Sequence, residues 1–330
     1  MSTVLPLTAA ETQRPRHARR RFALPPRAAC LLTSLLSLAI RGVMRSQLGW
    51  SPLGSIPKMV KLSYMNDDDP KDHPTPLTGG HFSRPVRSEG EVRKPRGTWT
   101  QASFELLQFL EARHFVGAPR AIRIEGSGEG VFSYLEGDVA AGAPLPGYVW
   151  SEESLIDVTK LLRRLHDVTE GWRPQSEDWR RIPGAPQSVE VMCHNDAAPW
   201  NTVFRGGRPV GLIDWDSAAP GTRLWDLGYL VWHWVPLWPD DRALAHGFTD
   251  LPSRAPRLAT IVASYGRGVT AGEVLDAALQ RQQAWRDQLT EGARAGVTAY
   301  VDLVAAGSAT GILADLRYTN EHRDELLRAL

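Results

Sequence analysis

The stretch VMCHNDAAPWNTVF, residues 191–204, places three polar side chains directly behind a short apolar run. His194, Asp196 and Asn201 lie within eight positions of one another. The apolar run predicts a buried strand, and a carboxylate at a strand end is held on a rigid element while its head group faces a cleft. The stretch therefore predicts a polar site at one end of a small sheet.

The next segment, NTVFRGGRPVGLIDWD, predicts a β-hairpin that completes this site. β-forming residues flank Gly206–Gly207, and the return strand ends at Asp214. Asn201 and Asp214 then lie at neighbouring hairpin ends, so their oxygens converge on one hard cation such as Mg²⁺. Asp196 lies beside that cation, able to receive or orient a hydroxyl proton, as phosphoryl transfer requires. The alternative interpretation is that Asp196 and Asn201 are ordinary turn residues.

The segments around the hairpin predict two lobes of different composition. Residues 77–137 predict a small sheet with one helix, since short strands flank Gly79–Gly80, apolar side chains recur at helical spacing over 99–115, and a hairpin turns around 126–130. The rest predicts a mostly helical lobe, so the fold class is α+β. Its helices are predicted at residues 151–168, 222–234, 254–265, 271–289 and 292–316.

Tryptophans are frequent in the helical lobe and allow two interpretations. Helical spacing favours core positions over an aromatic platform for a cationic ligand. For Trp200 and Trp215, which flank the motif acids, lining the cleft is the second possibility. The cluster consists of Trp215, Trp225, Trp232, Trp234 and Trp238.

Charge is distributed unevenly along the chain. Residues 1–64 carry ten Lys or Arg against one acid, and the remainder carries 28 basic and 36 acidic residues. The excess of acidic residues after residue 64 argues against nucleic-acid binding by this part of the chain and suits binding of cationic small molecules. Cys30 and Cys193 form no metal spacing or disulfide framework, so a reducing, cytoplasmic location is the simplest interpretation.

The N-terminal segment RHARRRFALPPRAACLLTSLLSLAIRGVM resembles a signal in part. Its apolar run is too short for a membrane span, and no small-residue cleavage site follows. We therefore favour a disordered or adventitious extension over residues 1–76, with export as the alternative. Met65, where the charge balance reverses, is a plausible true start.

Three segments together resemble the aminoglycoside phosphotransferase and related kinase-like enzyme family. They are CHNDAAPWNTVF, GLIDWDSAAPG and LWDLGYL, and the resemblance covers about residues 77–320. It implies a protein-kinase-like fold, with lobes at 77–137 and 138–330. Asp196 matches the catalytic base, and Asn201 and Asp214 match the metal ligands.

The resemblance also assigns supporting roles. His194 matches a residue that braces the catalytic loop, Asp226 matches a buried acid that ties the following helix to it, and Asp216 lies at most beside the metal ligands. Neither an APE motif nor a phosphorylatable activation loop follows, so the implied acceptor is a small molecule rather than a protein.

On the nucleotide side, the resemblance implies ATP and Mg²⁺ between the lobes. Lys94, or Arg93 beside it, is expected to contact the phosphates. Glu105 is the best candidate for the carboxylate partner of that cation, although Ser103 occupies nearly as good a register, and a helix-surface charge is the favoured interpretation of Glu105. The other expected nucleotide-binding residues are Gly79, Gly80 and Ser83 at the phosphates, and Ser133 to Leu135 at the adenine.

The sequence thus predicts an ATP- and Mg²⁺-dependent phosphotransferase that acts on a hydroxyl of a small molecule, aminoglycoside-like or another amino or hydroxy compound. The alternative is a non-catalytic binding or immunity protein on the same scaffold. No nucleic-acid, membrane or protein partner is indicated.

Overall fold

The computed structural model describes residues 75–77 and 84–330. A five-stranded antiparallel sheet opens the described chain, in the order β1-β2-β3-β5-β4. Helix α1, Thr100–Ala112, packs on this sheet through an apolar face that includes Phe104, whose ring lies 6.1 Å from that of Phe132. The strands are β1 Thr75–Pro76, β2 Val86–Ser88, β3 Glu91–Lys94, β4 Ala121–Ile124 and β5 Gly130–Ser133.

This small lobe has the composition that the sequence predicts, one sheet and one helix. Strand β1 lies just ahead of residue 77, where the sequence places the start of the lobe, and pairs with Val86 and Arg87. The expected glycine turn at Gly79–Gly80 and Ser83 lie outside the described residues, as do Cys30 and the whole segment 1–74.

The large lobe is mostly helical, so the predicted α+β class is confirmed. Its helices begin at polar caps: the Ser151 hydroxyl accepts a hydrogen bond from Ser154 N, and Thr270 forms a capping box with Glu273. The helices are α2 Glu152–Thr169, α3 Arg223–Trp234, α4 Asp240–Ala245, α5 Arg254–Tyr265, α6 Ala271–Arg294, α7 Thr298–Ala305 and α8 Ser308–Arg328.

Two small sheets cross the large lobe and carry the polar motif. Gly206 and Gly207 both have positive φ, 58° and 76°, as a two-residue type I′ hairpin turn requires. The predicted hairpin is therefore present. One sheet has the order β6-β8-β9 and the other pairs β7 with β10. These strands are β6 Asp138–Val139, β7 Val191–Cys193, β8 Thr202–Arg205, β9 Arg208–Leu212 and β10 Ala219–Gly221.

The predicted helix over 292–316 is wrong. Helix α6 runs on to Arg294, and left-handed glycines, Gly296 at φ 75° and Gly307 at φ 87°, end α6 and α7. No single helix in the described part of the chain is long and apolar enough to cross a membrane. Helices α7 and α8, bent by 64°, meet that test only as a pair, by length and composition.

The tryptophan cluster belongs to the core, as helical spacing predicts. Each of its members is at most 3 % exposed, and Trp215 packs edge-on against His194 with ring centroids 4.6 Å apart. Trp200 is half-buried and packs against His233 at 4.8 Å. Trp215 is therefore a core residue and does not line the cleft, which was the second possibility for it.

Gly228 of α3 lies directly against the backbone of α6. A Cβ at this position would lie 2.6 Å from the carbonyl carbon of Ala277, a backbone atom that cannot move aside alone. We expect Gly228→Ala to lower the free energy of unfolding by about 1–3 kcal/mol, because overpacking forces a backbone shift. Urea unfolding measures this change.

The matched control is Gly311, in the first turns of α8, where an added Cβ meets no atom within 4 Å. Gly311→Ala should raise stability by about 0.5–1 kcal/mol, since alanine restricts the unfolded chain and favours the helix. Equal effects of Gly228→Ala and Gly311→Ala would contradict the close helix contact.

Candidate active site

Asp196 lies in the loop that follows β7, and its carboxylate meets helix α3. The Tyr229 hydroxyl donates to Asp196 Oδ1 at 2.6 Å, and the Asn201 side-chain amide donates to the Asp196 carbonyl at 3.0 Å. The pKa of Asp196 is raised to about 7, chiefly by burial. The negative charge of Asp214 also raises this pKa, whereas the hydrogen bond from Tyr229 lowers it. The carboxylate is thus poised to exchange a proton near neutral pH.

The backbone of this loop is held by Asp226, which lies on the first turn of α3 and is fully buried. Its two carboxylate oxygens accept from the amides of His194 and Asn195, each at 2.7 Å. His166 Nε2 lies 3.0 Å from the same carboxylate, and Tyr265 lies 2.7 Å from His166 Nδ1. Burial opposes the charge of Asp226, yet these partners keep its pKa below the ordinary value.

Asn195 adopts a left-handed backbone conformation, with φ 65°, which is uncommon outside glycine. The buried guanidinium of Arg281 on α6 donates to its carbonyl at 2.8 Å and packs against the rings of Trp225 and Tyr229. The Asn195 side-chain amide donates to the Ser217 carbonyl at 2.9 Å. The unusual conformation is therefore fixed from several sides, which is the usual condition for strain at a functional site.

His194 contributes to the same loop with a neutral ring. Burial lowers its pKa to about 4. The neutral ring accepts a hydrogen bond at Nδ1 from the Asp196 amide, 3.3 Å away. It therefore contacts the backbone of the carboxylate residue rather than a reacting group.

Asn201 and Asp214 are brought together by the hairpin. The Ile213 amide donates to the Asn201 carbonyl at 2.9 Å, which extends the β8–β9 ladder by one step and places Asp214 next to Asn201. Asp214 itself is left-handed, at φ 63°. Two left-handed non-glycine residues, Asn195 and Asp214, thus border one site.

Lys94, at the end of β3, reaches this site from the small lobe. Its ammonium donates to Asp214 Oδ1 at 2.7 Å and to Asp216 Oδ1 at 2.6 Å. Burial acts to lower the pKa of Lys94, but the two carboxylates raise it overall. One ammonium does not compensate two buried acids equally: the pKa of Asp214 is lowered, while burial keeps that of Asp216 raised.

The donor set at Lys94 fits a hard divalent cation. Oxygens of Asp214 and Asp216 already converge on one positive centre, and the hairpin ladder places Asn201 next to Asp214 along the backbone. Mg²⁺ prefers such all-oxygen sets and needs few protein ligands. Asp216 therefore forms, together with Asp214, the pair of carboxylates that contacts Lys94.

A second group of metal-ligand type is a hydrogen-bonded brace instead. Ligand atoms of His166, Cys193 and Asp226 lie within 4.8 Å of one another, all buried. The Asp226 oxygens already accept hydrogen bonds, and burial raises the pKa of the Cys193 thiol well above its ordinary value. A neutral thiol is a poor ligand.

Comparisons with known proteins identify the family of the chain. The profile described as phosphotransferase enzyme family matches residues 172–261. The trifolitoxin immunity protein of Rhizobium leguminosarum bv. trifolii is 34% identical over 195 residues, which are 58% of this chain and 73% of that protein. The chain belongs to the phosphotransferase enzyme family.

Solved structures of phosphotransferases share the fold. The gentamicin complex of APH(2")-IIa has a TM-score of 0.51 at 14% identity, covering 74% of this chain and 93% of that one. The Plasmodium vivax ethanolamine kinase has a TM-score of 0.50 at 9% identity, covering 75% and 84%. The predicted kinase-like, two-lobed fold is confirmed.

In this member of the phosphotransferase family, Glu105 does not pair with Lys94. Its carboxylate accepts from the amides of Gln175 and Ser176, at 2.6 and 2.8 Å. Ser103 faces the site instead, and its hydroxyl donates to the Trp215 carbonyl at 3.2 Å. The candidate pairing of Glu105 with Lys94 is wrong because α1 is turned so that Ser103 lies inward.

The expected adenine-binding residues lie at the end of β5. The Ser133 amide donates to the Arg120 carbonyl and its hydroxyl accepts from the Arg120 amide, so the amide is already engaged within the small lobe. Leu135 lies beyond the strand and is half-buried, with its side chain against Gly211. Arg93, the alternative to Lys94, is exposed.

Three contacts of the site are absent from the sequence prediction. They come from Tyr229, His166 and Arg281. Only Tyr229 had a local signal, since it lies three residues after Asp226 on a helix whose start the sequence predicts. The others lie on elements whose docking onto the loop depends on tertiary packing.

Proposed function

We propose that this protein is an ATP- and Mg²⁺-dependent phosphotransferase that moves the γ-phosphoryl group to a hydroxyl of a small molecule. The observation that supports it most is the convergence of Lys94, Asp214 and Asp216 beside the Asp196 loop. A cation-binding acidic pair next to a proton-accepting carboxylate is what phosphoryl transfer needs.

Asn201 and Asp214 would hold the metal, with Asp216 beside them, and bound Mg²⁺ would supply charge neutralisation at the phosphates. Lys94 would contact the phosphates as a point charge. Asp196 aligns the acceptor hydroxyl. The hydroxyl oxygen forms a bond to the γ-phosphorus, and the bond between that phosphorus and the oxygen that bridges it to the β-phosphate breaks. The hydroxyl proton goes to the Asp196 carboxylate. The products are ADP and a phosphate ester.

The remaining residues would position these groups. His194 and Asp226 brace the catalytic loop through the backbone contacts described above. Gly79, Gly80 and Ser83 stay predicted phosphate contacts, and the backbone groups from Ser133 to Leu135 that make no hydrogen bond within the small lobe stay predicted adenine contacts. Trp200, half-buried beside Asn201, is a candidate wall for the acceptor.

The chemical class of the acceptor is proposed from the names of two proteins that share the fold. A solved phosphotransferase of this fold binds gentamicin, and another is an ethanolamine kinase, both named for amino- or hydroxyl-bearing compounds. A screen of aminoglycosides, macrolides, choline-like amines and amino-alcohols with labelled ATP tests this part directly. A cytoplasmic location of the protein is part of the same proposal.

A second candidate function is immunity by sequestration without catalysis. It is favoured by the 34% identity to the trifolitoxin immunity protein. The complete acidic set and Lys94 favour catalysis over it.

Nucleotide binding separates the two functions. We expect millimolar ATP with Mg²⁺ to raise the melting temperature, because ligand at 100 times its Kd stabilises a fold by about 2.7 kcal/mol. In Asp214→Ala the Mg²⁺-dependent part of this shift should disappear. The control variant is Asp302→Asn, an exposed position on α7, which should shift like the wild type. A wild type that does not shift would favour sequestration.

A further inference from the structure

Tyr229 on helix α3 contacts the carboxylate of Asp196 directly. Its hydroxyl donates to Asp196 Oδ1 at 2.6 Å, a length typical of a hydrogen bond from a hydroxyl to a charged oxygen. The contact joins two positions that lie 33 residues apart in sequence. Asp196 is half-buried, whereas its neighbours Asn195 and Ala197 are buried. One oxygen of the carboxylate is thus held by α3 while part of the residue remains accessible.

The ring of Tyr229 is packed on several sides. The guanidinium of Arg281 lies 4.7 Å from its centroid, and the rings of His233 and Trp232 lie 4.6 and 5.7 Å away. Gly228, the preceding residue, lies against the backbone of α6. Close-packed neighbours leave a buried ring little freedom to move. The Tyr229 hydroxyl is therefore presented to Asp196 from a fixed position.

The loop that carries Asp196 is held by the same guanidinium. Arg281 donates to the carbonyl of Asn195 at 2.8 Å, and the Asn201 side-chain amide donates to the Asp196 carbonyl at 3.0 Å. These contacts fix the backbone on both sides of the Asp196 side chain. The torsion that turns an aspartate carboxylate is broad, so a hydrogen bond to one of its oxygens is needed to orient it. Tyr229 supplies that hydrogen bond.

A tyrosine suits this task because its hydroxyl is a neutral donor. Burial, and after it the charge of Asp196, raises the pKa of Tyr229 well above its ordinary value, so the hydroxyl keeps its proton. A cation in the same place would stabilise the ionised carboxylate more strongly and weaken it as a base. Asp226 differs in this respect, since its two oxygens accept from the backbone amides of His194 and Asn195.

We propose that Tyr229 is a positioning residue that holds Oδ1 of Asp196 and leaves Oδ2 to take the proton of the acceptor hydroxyl. This assignment rests on the proposed phosphotransferase function and names the oxygen that acts as the base. As the acceptor oxygen forms its bond to the γ-phosphorus, its O–H bond breaks and the proton goes to Oδ2. A displacement of about 1 Å in such a geometry costs on the order of 10²-fold in rate.

The test is Tyr229→Phe, which keeps the ring and its packing but removes the hydroxyl. We expect kcat to fall by about 10–100-fold, because the carboxylate is no longer oriented. The KM of the acceptor and the Kd of Mg·ATP should stay within about twofold of the wild type, because an interaction made in the transition state lowers kcat alone. Steady-state kinetics with labelled ATP, and calorimetry, measure these constants.

The matched control is Tyr318→Phe on α8. It also removes a tyrosine hydroxyl from a charged partner, since the Tyr318 oxygen lies 2.6 Å from Nη1 of Arg254. Its kcat should equal that of the wild type. The stoichiometry of Mg·ATP binding gives the folded fraction of each variant, and kcat is expressed per bound nucleotide. A loss of folded protein in Tyr229→Phe is thereby separated from a loss of rate.

A double variant tests whether Tyr229 acts through Asp196. In the Asp196→Asn background, adding Tyr229→Phe should change kcat by less than about twofold, because residues that act as a unit have non-additive effects. A further tenfold loss in the double variant would overturn the assignment, since Tyr229 would then act on something other than the carboxylate.

The remaining outcomes separate this assignment from the proposed function. A wild-type kcat in Tyr229→Phe, or a loss carried by KM or by ATP affinity alone, overturns the role of Tyr229 while the phosphotransferase function stands. If the wild type transfers phosphate neither to a compound of the screen nor to water, the proposed function falls and the assignment falls with it.

Discussion

Asp196→Asn should lower turnover by about 10²–10⁴-fold, the usual contribution of a positioned general base. The asparagine keeps the shape of the side chain and can still accept from the Tyr229 hydroxyl, but it cannot take a proton. Binding of Mg·ATP should stay within twofold, because Asn201, Asp214 and Lys94 are unchanged. Steady-state kinetics with the acceptor found by the screen, and calorimetry with ATP, measure the two effects.

The variant should also be at least as stable as the wild type. The folded-state pKa of Asp196 is raised to about 7, chiefly by burial. A folded state that binds this proton more tightly than the unfolded one loses stability as pH rises from the ordinary value of an aspartate to about 7. Removing the carboxylate removes that loss, so at pH 8 the melting temperature of Asp196→Asn should not fall.

The same pKa sets the pH dependence of the wild type. If the ionised carboxylate is the active form, kcat/KM rises with pH through an acid limb near pH 7 and levels off above it. Unchanged turnover in Asp196→Asn, in a protein that melts normally, would remove Asp196 from the chemistry.

The parts of this fold that the sequence predicts are those encoded locally. The hairpin follows from Gly206–Gly207, where both central residues need positive φ, and the helix starts follow from Ser151, Thr222 and Thr270, whose side chains accept from amides three residues on. Such signals act within one turn and need no tertiary information. The adjacency of Asn201 and Asp214 follows from the same hairpin.

The contacts that the sequence does not predict depend on how elements dock. Glu105 and Ser103 differ by two helix positions, about 200° around the axis, and only the packing of α1 on Trp215 decides that Ser103 faces inward. Arg281 contacts the Asn195 carbonyl across 86 positions of sequence. Lys94 of the small lobe likewise donates to both Asp214 and Asp216 of the large lobe, and no local sequence pattern encodes these contacts.

Helix boundaries in the last third show a related effect. An apolar pattern continues from 292 to 316, yet Gly296 and Gly307 each adopt a left-handed conformation and divide it. Glycine is compatible with a helix interior and with a helix end, so its position alone does not choose between them. The position of Tyr300 beside Gly292 is compatible only with a broken helix, since eight residues of continuous helix would separate the two by about 12 Å.

Asp226→Asn should destabilise the protein by about 3–5 kcal/mol, the cost of removing one partner from a buried charged network. The wild-type carboxylate accepts from the amides of His194 and Asn195 and from His166, whereas asparagine keeps one acceptor oxygen and turns an NH₂ group toward a donor. Urea unfolding at pH 7 measures the loss, with Asp302→Asn as the control for removal of an exposed charge.

The pH dependence of this loss identifies its cause. Although burial alone would raise it, the folded-state pKa of Asp226 is lowered by His166 and by the loop amide. The carboxylate therefore stabilises the fold above the unfolded pKa of about 4, and this contribution is lost as pH falls through the folded value. The gap between wild type and Asp226→Asn should narrow in acid. A gap that stays constant down to pH 3, or a variant as stable as Asp302→Asn, would mean that the catalytic loop is held by something other than the Asp226 charge.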